Sequence, residues 1–354
     1  MRNSLLILVG LVVLSSWATA EPPDFLNSEI TFEQAGTNLG SSVDSLLQRG
    51  SDTRWIAWSV PAVEGHRYLC CWGRGDRLSQ RGACSLESRD RHFVMSDGHD
   101  LVTPPEVREI AVLLRADGSR VEEVRVYSET CRLDAGGRAV TWVESVTAEQ
   151  SVAWLTTLIG RGRSDDLSEE ALMALALHKG SAADRELATI ASSESSSSLR
   201  EEAIFWLGEA RGQAGLEVLD RLLDTKRDAD IKVHIAFALT LSSAPGAMER
   251  LTTLGRTDPD PEVRGEALFW LAQEGGAGAA DAVKRAVDSD PDREVREQAI
   301  FALSQLPDGQ GTDLLLEIVR DPSQDVSVRQ EALFWLAQSE DDRALDLISD
   351  ILQK

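Results

Sequence analysis

Two histidines and two aspartates lie close together between residues 92 and 100, and these side chains are the best suited to acid–base chemistry. They are His92, Asp97, His99 and Asp100. Such groups transfer protons in hydrolases and lyases, but this set has no recognised catalytic spacing, and histidine-rich loops are usually solvated turns. We therefore predict no catalytic residue and a protein that is not an enzyme. The alternative is a hydrolase or lyase whose site lies where a β domain meets a helical array.

The short motifs of common catalytic and nucleotide-binding sites are missing. The sequence contains no HExxH, no GxSxG and no Walker-type GxxxxGK. The run from Asp288 to Asp292 imitates the first ligands of a calcium loop, yet Arg293 and Ala299 occupy its sixth and twelfth positions. Turn and helix-capping chemistry explains this run better, and we expect neither a cofactor nor a metal.

All four cysteines fall in one segment of about sixty residues, at Cys70, Cys71, Cys84 and Cys131. We expect two disulfides, and a bond between the adjacent Cys70 and Cys71 is the least favourable because it strains the backbone. Two pairings remain open, Cys70 with Cys84 and Cys71 with Cys131, or Cys70 with Cys131 and Cys71 with Cys84. A metal site with His66, His92 and His99 is the weaker alternative, because no CxxC spacing supports it.

Residues 1–20 have the pattern of a secretory signal peptide. Arg2 precedes an apolar run from Leu5 to Leu14, and Ala18-Thr19-Ala20 forms a small-residue cleavage site before Glu21. The run is too short for a comfortable membrane span, although an uncleaved anchor is the alternative. We expect an exported protein, periplasmic or extracellular, with no integral membrane segment after cleavage. Disulfides persist in such a compartment.

The chain of 354 residues is strongly acidic. It carries 36 Lys and Arg against 59 Asp and Glu, a net charge of −23, and residues 151–354 contribute 21 basic and 38 acidic side chains, or −17. Such a surface repels phosphate backbones and anionic lipids, so nucleic acid is excluded as a general partner. Electrostatic steering favours a basic protein or peptide instead.

The N-terminal part of the chain reads as strands after a polar start. We expect a flexible polar segment over residues 21–51 and a small antiparallel, disulfide-stapled β domain over 52–146. Trp55 to Val60 and Arg67 to Trp72 are aromatic and β-branched runs, and later runs are separated by turns at Asp117-Gly118 and Gly136-Gly137. Such turns join hairpins because these residues accept positive φ.

From residue 147 to 354 a repeat replaces the strand pattern. One leucine recurs at steps of 32, 32, 32, 32 and 33 residues, and the positions are Leu175, Leu207, Leu239, Leu271, Leu303 and Leu336. A fixed period of this length is typical of a solenoid. Amphipathic segments alternate within each period, so we predict an all-α solenoid of about six helix pairs.

The repeat resembles a known family. Asp258 to Arg264, followed by Ala267 and Leu271, is similar to the bacterial HEAT-like repeats first associated with phycobilisome lyases, and Asp290 to Arg296 repeats the theme. The resemblance implies a solenoid that serves mostly as a protein-binding scaffold. Some HEAT-like proteins are di-iron hydroxylases with His-Glu pairs, but none of the five histidines here precedes Glu. The Cys-Cys-Trp segment resembles exported proteins of unknown function, which implies no activity.

Aromatic residues recur at two adjacent helical positions of the repeat. Trp206, Trp270 and Trp335 alternate with Ala174, Ala238 and Ala302, which we attribute to packing between layers, and Arg264 is expected to approach the Glu of a neighbouring repeat. The second column either packs between inner helices or forms an exposed stripe. It consists of Phe205, Phe237, Phe269, Phe301 and Phe334. We predict an exported, noncatalytic scaffold that binds a protein or peptide on the concave face.

Overall fold

The computed structural model describes residues 21–65, 69–70, 83–88, 107–160, 164–192, 196–225, 228–275, 278–306, 309–339 and 341–352. Several sequence-based expectations concern residues outside these ranges and stay predictions. They are the signal peptide, His66, Cys71 and the set of His92, Asp97, His99 and Asp100.

An N-terminal part with two sheets precedes a long series of helices. The strands are β1 (Asp24–Leu26), β2 (Ile30–Gln34), β3 (Arg54–Pro61), β4 (Cys84–Ser85), β5 (Glu109–Asp117), β6 (Arg120–Ser128), β7 (Arg132–Asp134) and β8 (Val140–Glu144). The helices are α1 (Leu39–Arg49), α2 (Ala148–Thr156), α3 (Asp165–Ala176), α4 (Ser181–Ser192), α5 (Ser197–Ala210), α6 (Gly212–Thr225), α7 (Ala229–Leu241), α8 (Ala247–Thr257), α9 (Pro261–Glu274), α10 (Ala279–Ser289), α11 (Arg293–Ser304), α12 (Gln310–Arg320), α13 (Val326–Gln338) and α14 (Asp342–Leu352).

The segment 21–51 is folded, and the expectation of a flexible polar segment there is wrong. It forms β1, β2 and α1, and the side chain of Asn38 caps α1 by accepting a hydrogen bond from the amide of Ser41. Four apolar residues of α1 recur at helical spacing and are buried, namely Leu39, Val43, Leu46 and Leu47. The polar composition concealed this apolar face.

The main sheet is mixed rather than purely antiparallel. Its five strands lie in the order β2, β8, β3, β5, β6, and β3, β5 and β6 form the expected antiparallel meander. β8 inserts between β2 and β3 and runs parallel to both. Hairpin turns specify only strands that follow each other directly, so they could not indicate this long-range insertion.

Each face of this sheet is covered by a different layer. Side chains alternate along β3, so Ile56 and Trp58 join a hydrophobic core with α1, α2 and the helical array, while Trp55 and Ala57 face the small sheet of β1, β7 and β4. The strand-rich part and the array therefore share one continuous core.

A disulfide lies in the layer that contains the small sheet. Cys70 bonds to Cys131 with the Cα atoms 5.5 Å apart, which agrees with one of the two expected pairings. Cys84 is buried and also disulfide-bonded.

From α3 onward the helices form two layers of six, which confirms the predicted solenoid. One layer holds α3, α5, α7, α9, α11 and α13, which pack closely side by side. The helices of the other layer stand farther apart, and they are α4, α6, α8, α10, α12 and α14. The array therefore curves with the first layer on its concave side. No helix in the described ranges is long and apolar enough to span a membrane.

Candidate protein-binding surface

The phenylalanine column lies on the concave layer and is half buried. Phe205, Phe237, Phe269 and Phe301 are partly exposed, and Phe334 in the last of these helices is 52% exposed. Neither of the two alternatives from the sequence describes this arrangement alone. The rings pack between adjacent helices and still present part of their surface to solvent.

The Phe and Trp rings contact each other in one continuous series, which we call the aromatic ladder. Phe237 lies between Phe205, at 6.5 Å between ring centroids, and Trp270, at 4.6 Å. Two repeats later, Phe301 lies in the same way between Phe269, at 5.8 Å, and Trp335, at 4.7 Å. Contacts within single helices complete the ladder, and they join Phe205 to Trp206, Phe269 to Trp270 and Phe334 to Trp335.

The tryptophan column therefore belongs partly to this surface. Trp206 is buried, but Trp270 and Trp335 are partly exposed, and both contact a Phe of the preceding repeat. The repeats that supply those Phe residues have the buried Ala238 and Ala302 at the tryptophan position. The small residue leaves room beside its Phe for the indole of the next repeat, so the alternation of large and small residues builds the ladder.

A carboxylate stands beside each indole. Glu202, Glu266 and Glu331 each precede a Trp by four residues, and the indole Nε1 donates to Glu202 at 2.6 Å and to Glu331 at 2.9 Å. Burial raises the pKa of Glu202, and the charge of Glu169 adds to this effect while the indole hydrogen bond opposes it. Burial and the charge of Glu262 likewise raise the pKa of Glu266.

Amide side chains lie on the other side of the ladder in the last three repeats. Gln273, Gln305 and Gln338 each follow a ladder Phe by four residues, which is one helical turn. Nε2 of Gln273 donates to Oε1 of Gln305 at 3.4 Å. Sequence reasoning assigned these carboxylates to pairs with arginine and missed the amides, although the spacing of both from the Phe column was readable.

Buried ion pairs link neighbouring repeats, but not through the residues expected. Among the residues that the structure describes, Arg264 pairs with no Glu of a neighbouring repeat and instead makes a bidentate contact with Asp290 at 2.8 and 2.9 Å. Lys232 reaches Asp258 in the equivalent way at 2.7 Å. Each of these aspartates is the first residue of an Asp-Pro turn.

The same turns account for the run that imitates a calcium loop. Asp290 is engaged by Arg264, and Asp292 caps α11 by accepting from the amide of Glu294 at 2.8 Å. The expected turn and capping role is confirmed. Within the described ranges, no group of three or more His, Cys, Asp or Glu side chains is placed to hold a metal.

The junction between the sheets and the array holds a buried Ser–His contact. Oγ of Ser151 lies 2.7 Å from Nε2 of His178, and it accepts from the indole of Trp58 at 2.8 Å. Nδ1 of His178 faces the carbonyl of Ala174 at 2.7 Å, so both ring nitrogens are satisfied. Ser151 and His178 are fully buried, which makes this pair a structural link that substrate cannot reach.

A cleft of about 450 Å³ lies beside this junction. Its walls include the exposed pair of Lys179 with Glu64, and also Trp206 and Arg211. Arg211 is buried and committed to Asp184 and to the carbonyls of Ala176, His178 and Gly180. Its guanidinium is therefore saturated by the protein.

Comparisons with known proteins identify the array. Residues 184–272 and 248–327 match the family of HEAT repeats, and residues 328–354 match the PBS lyase HEAT-like repeat. Residues 184–354 are therefore HEAT-type repeats, and the resemblance read from the Asp-Pro turns is confirmed. A comparison with curated protein sequences finds no significant match.

Solved structures with a similar fold include two distant ones. The chain is similar to human deoxyhypusine hydroxylase in complex with glycerol, at 18% identity over 53% of this chain and 85% of that one, with a TM-score of 0.30. It is also similar to YibA of Escherichia coli, at 16% identity over 58% and 76% of the two chains, with a TM-score of 0.33.

Proposed function

We propose that this protein is a noncatalytic scaffold that holds a segment of another protein along the aromatic ladder. The observation that carries the proposal is the ladder itself, eight contacting rings that span five repeats, of which all but Trp206 are at least partly exposed on the concave layer. Packing between helices requires rings that are covered, whereas a binding surface requires rings that are accessible and rigidly held. Rigid aromatic side chains bury a large apolar area while losing little conformational entropy.

We further propose that the scaffold works outside the cytoplasm. The signal-like pattern of residues 1–20 supports export, and the bonded Cys70 and Cys131 fit an oxidising compartment. HEAT arrays are extended surfaces without a deep pocket, which suits recognition of a chain segment rather than a small substrate.

Selection of binding peptides tests the scaffold function directly. Peptides from a random library are selected on the full chain, and their affinities are then measured for the wild type and for the Phe269→Ala/Phe301→Ala variant. We expect affinity to fall by about tenfold or more in this variant, because the peptides lose two central aromatic contacts. Circular dichroism at the assay temperature verifies that the array is still folded.

Leu345→Ala is the matched control, since Leu345 is apolar, 61% exposed and lies on α14, outside the ladder. This variant should bind the selected peptides as the wild type does. If the folded Phe269→Ala/Phe301→Ala variant also keeps wild-type affinity, the ladder serves packing alone and the proposal fails.

A further inference from the structure

Within the five repeats that carry a ladder Phe, a Glu four residues before the tryptophan position and the indole itself occur together and are absent together. The first repeat, which has no ladder Phe, pairs Glu170 with Ala174, and the Glu170 carboxylate accepts from the amide of Val124 at 2.8 Å. Three repeats carry Glu, Phe and Trp in the order Glu-x-x-Phe-Trp, and we call these the Glu–Phe–Trp sets: Glu202, Phe205 and Trp206; Glu266, Phe269 and Trp270; Glu331, Phe334 and Trp335. The two intervening repeats have His234 with Ala238 and Gln298 with Ala302 at the corresponding positions. The chemistry of the surface therefore repeats every two repeats, or about 64 residues.

Packing explains the alternation of Trp and Ala but not the negative charge. An indole N–H needs one acceptor, and the neutral amide of Gln would supply it. A carboxylate at a partly buried position instead costs desolvation free energy unless a cation faces it. The described residues form no ion pair between a Lys or Arg and Glu202, Glu266 or Glu331, and the raised pKa of Glu202 and Glu266 reflects this missing compensation.

Each set has the two features that recognise a cationic side chain. The faces of Trp and Phe attract an ammonium or guanidinium group, and a carboxylate beside them accepts its hydrogen bonds. In the first set Trp206 is buried, so the partly exposed Phe205 supplies the aromatic face. In the second set, Glu266 lies one helical turn before Phe269 and Trp270, and Trp270 is partly exposed. A cation supplied by a partner would cover an aromatic face and compensate the carboxylate together.

We propose that the aromatic ladder binds an extended polypeptide segment through one Lys or Arg side chain at each Glu–Phe–Trp set. This inference rests on the proposed scaffold function and names the chemistry of the segment. Adjacent helices pack about 8–10 Å apart, so successive sets lie roughly 16–20 Å apart. An extended chain rises about 3.3 Å per residue, which places the bound cations about five or six residues apart.

The remaining chemistry of the surface fits this partner. Gln273 and Gln305 lie beside the ladder, and their amides can donate to and accept from the backbone of an extended segment. A second copy of this acidic chain would instead bring like charges together, as would an acidic partner. The net charge of −17 over residues 151–354 steers a basic segment toward the array.

Synthetic peptides test the proposal with the full chain. One peptide of Ser, Thr and Gly carries three arginines about six residues apart, and its partner carries citrulline, the neutral isostere, at the same positions. Calorimetric titration should show binding of the arginine peptide and about tenfold or more weaker binding of the citrulline peptide. Added salt should weaken the first complex more than the second.

Two charge-matched variants locate the interaction. Glu202→Gln/Glu266→Gln/Glu331→Gln should abolish the preference for arginine, while the amide still accepts the indole hydrogen bond. Glu217→Gln/Asp281→Asn/Asp346→Asn changes the net charge equally on exposed positions of the outer layer and should keep the preference. Equal loss in both variants would indicate a general charge effect and overturn the proposed sites.

The outcomes for the inference and for the scaffold function are distinguishable. If the wild type binds both peptides equally, or binds neither while library peptides without cations bind the ladder, cation recognition is wrong and the scaffold function stands. If library peptides retain full affinity for folded Phe269→Ala/Phe301→Ala, the scaffold function fails as well.

Discussion

The hydroxyl of Ser151 lies 2.7 Å from Nε2 of His178, and this contact ties α2 to the first helix pair of the array. Trp58 of β3 donates to the same hydroxyl, so one buried oxygen connects the sheet, the linking helix and the repeats. Backbone hydrogen bonds link the sheet to the array as well. The amide of Val63 donates to the carbonyl of Leu177 at 2.9 Å, and the amide of Lys179 donates to the carbonyl of Pro61 at 2.8 Å. The strand-rich part therefore acts as the N-terminal cover of the solenoid.

Protonation of His178 should destabilise the protein in mild acid. Burial, aided by the charge of Arg211, lowers the pKa of His178 to about 4 against an ordinary value of 6.5, although its hydrogen bond to Ala174 acts in the opposite direction. Because the folded state holds the neutral ring, the stabilisation is complete above about pH 6.5 and is lost as the pH falls toward 4. We expect a loss of about 3 kcal/mol over this range.

Urea unfolding at several pH values between 7 and 4 measures this loss. In His178→Gln the part of the pH dependence that comes from the ring disappears, whereas carboxylate titration remains. If the wild type and His178→Gln show parallel pH profiles, His178 does not control the acid sensitivity.

Removal of the Ser151 hydroxyl should leave two buried groups without a partner. Ser151→Ala exposes the indole N–H of Trp58 and Nε2 of His178 to an apolar environment, and we expect a loss of about 2–3 kcal/mol. Trp58→Phe removes one of these groups in advance, so the double variant should lose less than the sum of the single variants. A double-mutant cycle by urea unfolding measures the difference. Additive losses would mean that the hydrogen bond between Trp58 and Ser151 contributes nothing to stability.

The repeat was predictable from sequence because its pattern recurs six times along the chain. Leu175 and its five equivalents gave the period, and the amphipathic segments between them gave the helix pairs. The insertion of β8 between β2 and β3 was not predictable in this way. It depends on pairing between Val140 and Trp55 across 85 residues, for which a single sequence holds no local signal.

The candidate surface was predictable in outline only. The sequence placed the Phe column at one helical position of the repeat, but the contact of Phe237 with Trp270 joins two helices and depends on how they are offset. The sequence also favoured Glu as the partner of Arg264. The guanidinium instead contacts the carboxylate of Asp290, 26 residues along the chain, and a single sequence gives no local signal for this contact.

Breaking the ion pair of Arg264 with Asp290 should be costly. Both side chains are largely buried, with 8% and 6% exposure. Burial alone would raise the pKa of Asp290, but hydrogen bonds from Arg264 and from the amide of Asp292 outweigh it and lower the pKa. We expect Asp290→Asn to cost about 3–5 kcal/mol, because it leaves the guanidinium buried beside a neutral group.

The pair of Arg293 with Glu297 is the matched control in the same region. Its side chains are 71% and 37% exposed, so Glu297→Gln should cost less than about 1 kcal/mol. Chemical denaturation of both variants at neutral pH makes the comparison. Similar small losses in the two would show that Asp290 carries no special share of the stability of the array.

The aromatic ladder should contribute unequally to stability along its length. Phe237 is enclosed between Phe205 and Trp270, so Phe237→Ala removes two ring contacts and should cost about 2–4 kcal/mol. Phe334 is 52% exposed and contacts Trp335 of its own helix, so Phe334→Ala should cost about 1 kcal/mol or less. Urea midpoints of the two variants test this order, and equal losses would contradict it. If the order holds, Phe334→Ala becomes the cleaner probe of binding, because it removes an accessible ring from a surface whose fold it leaves intact.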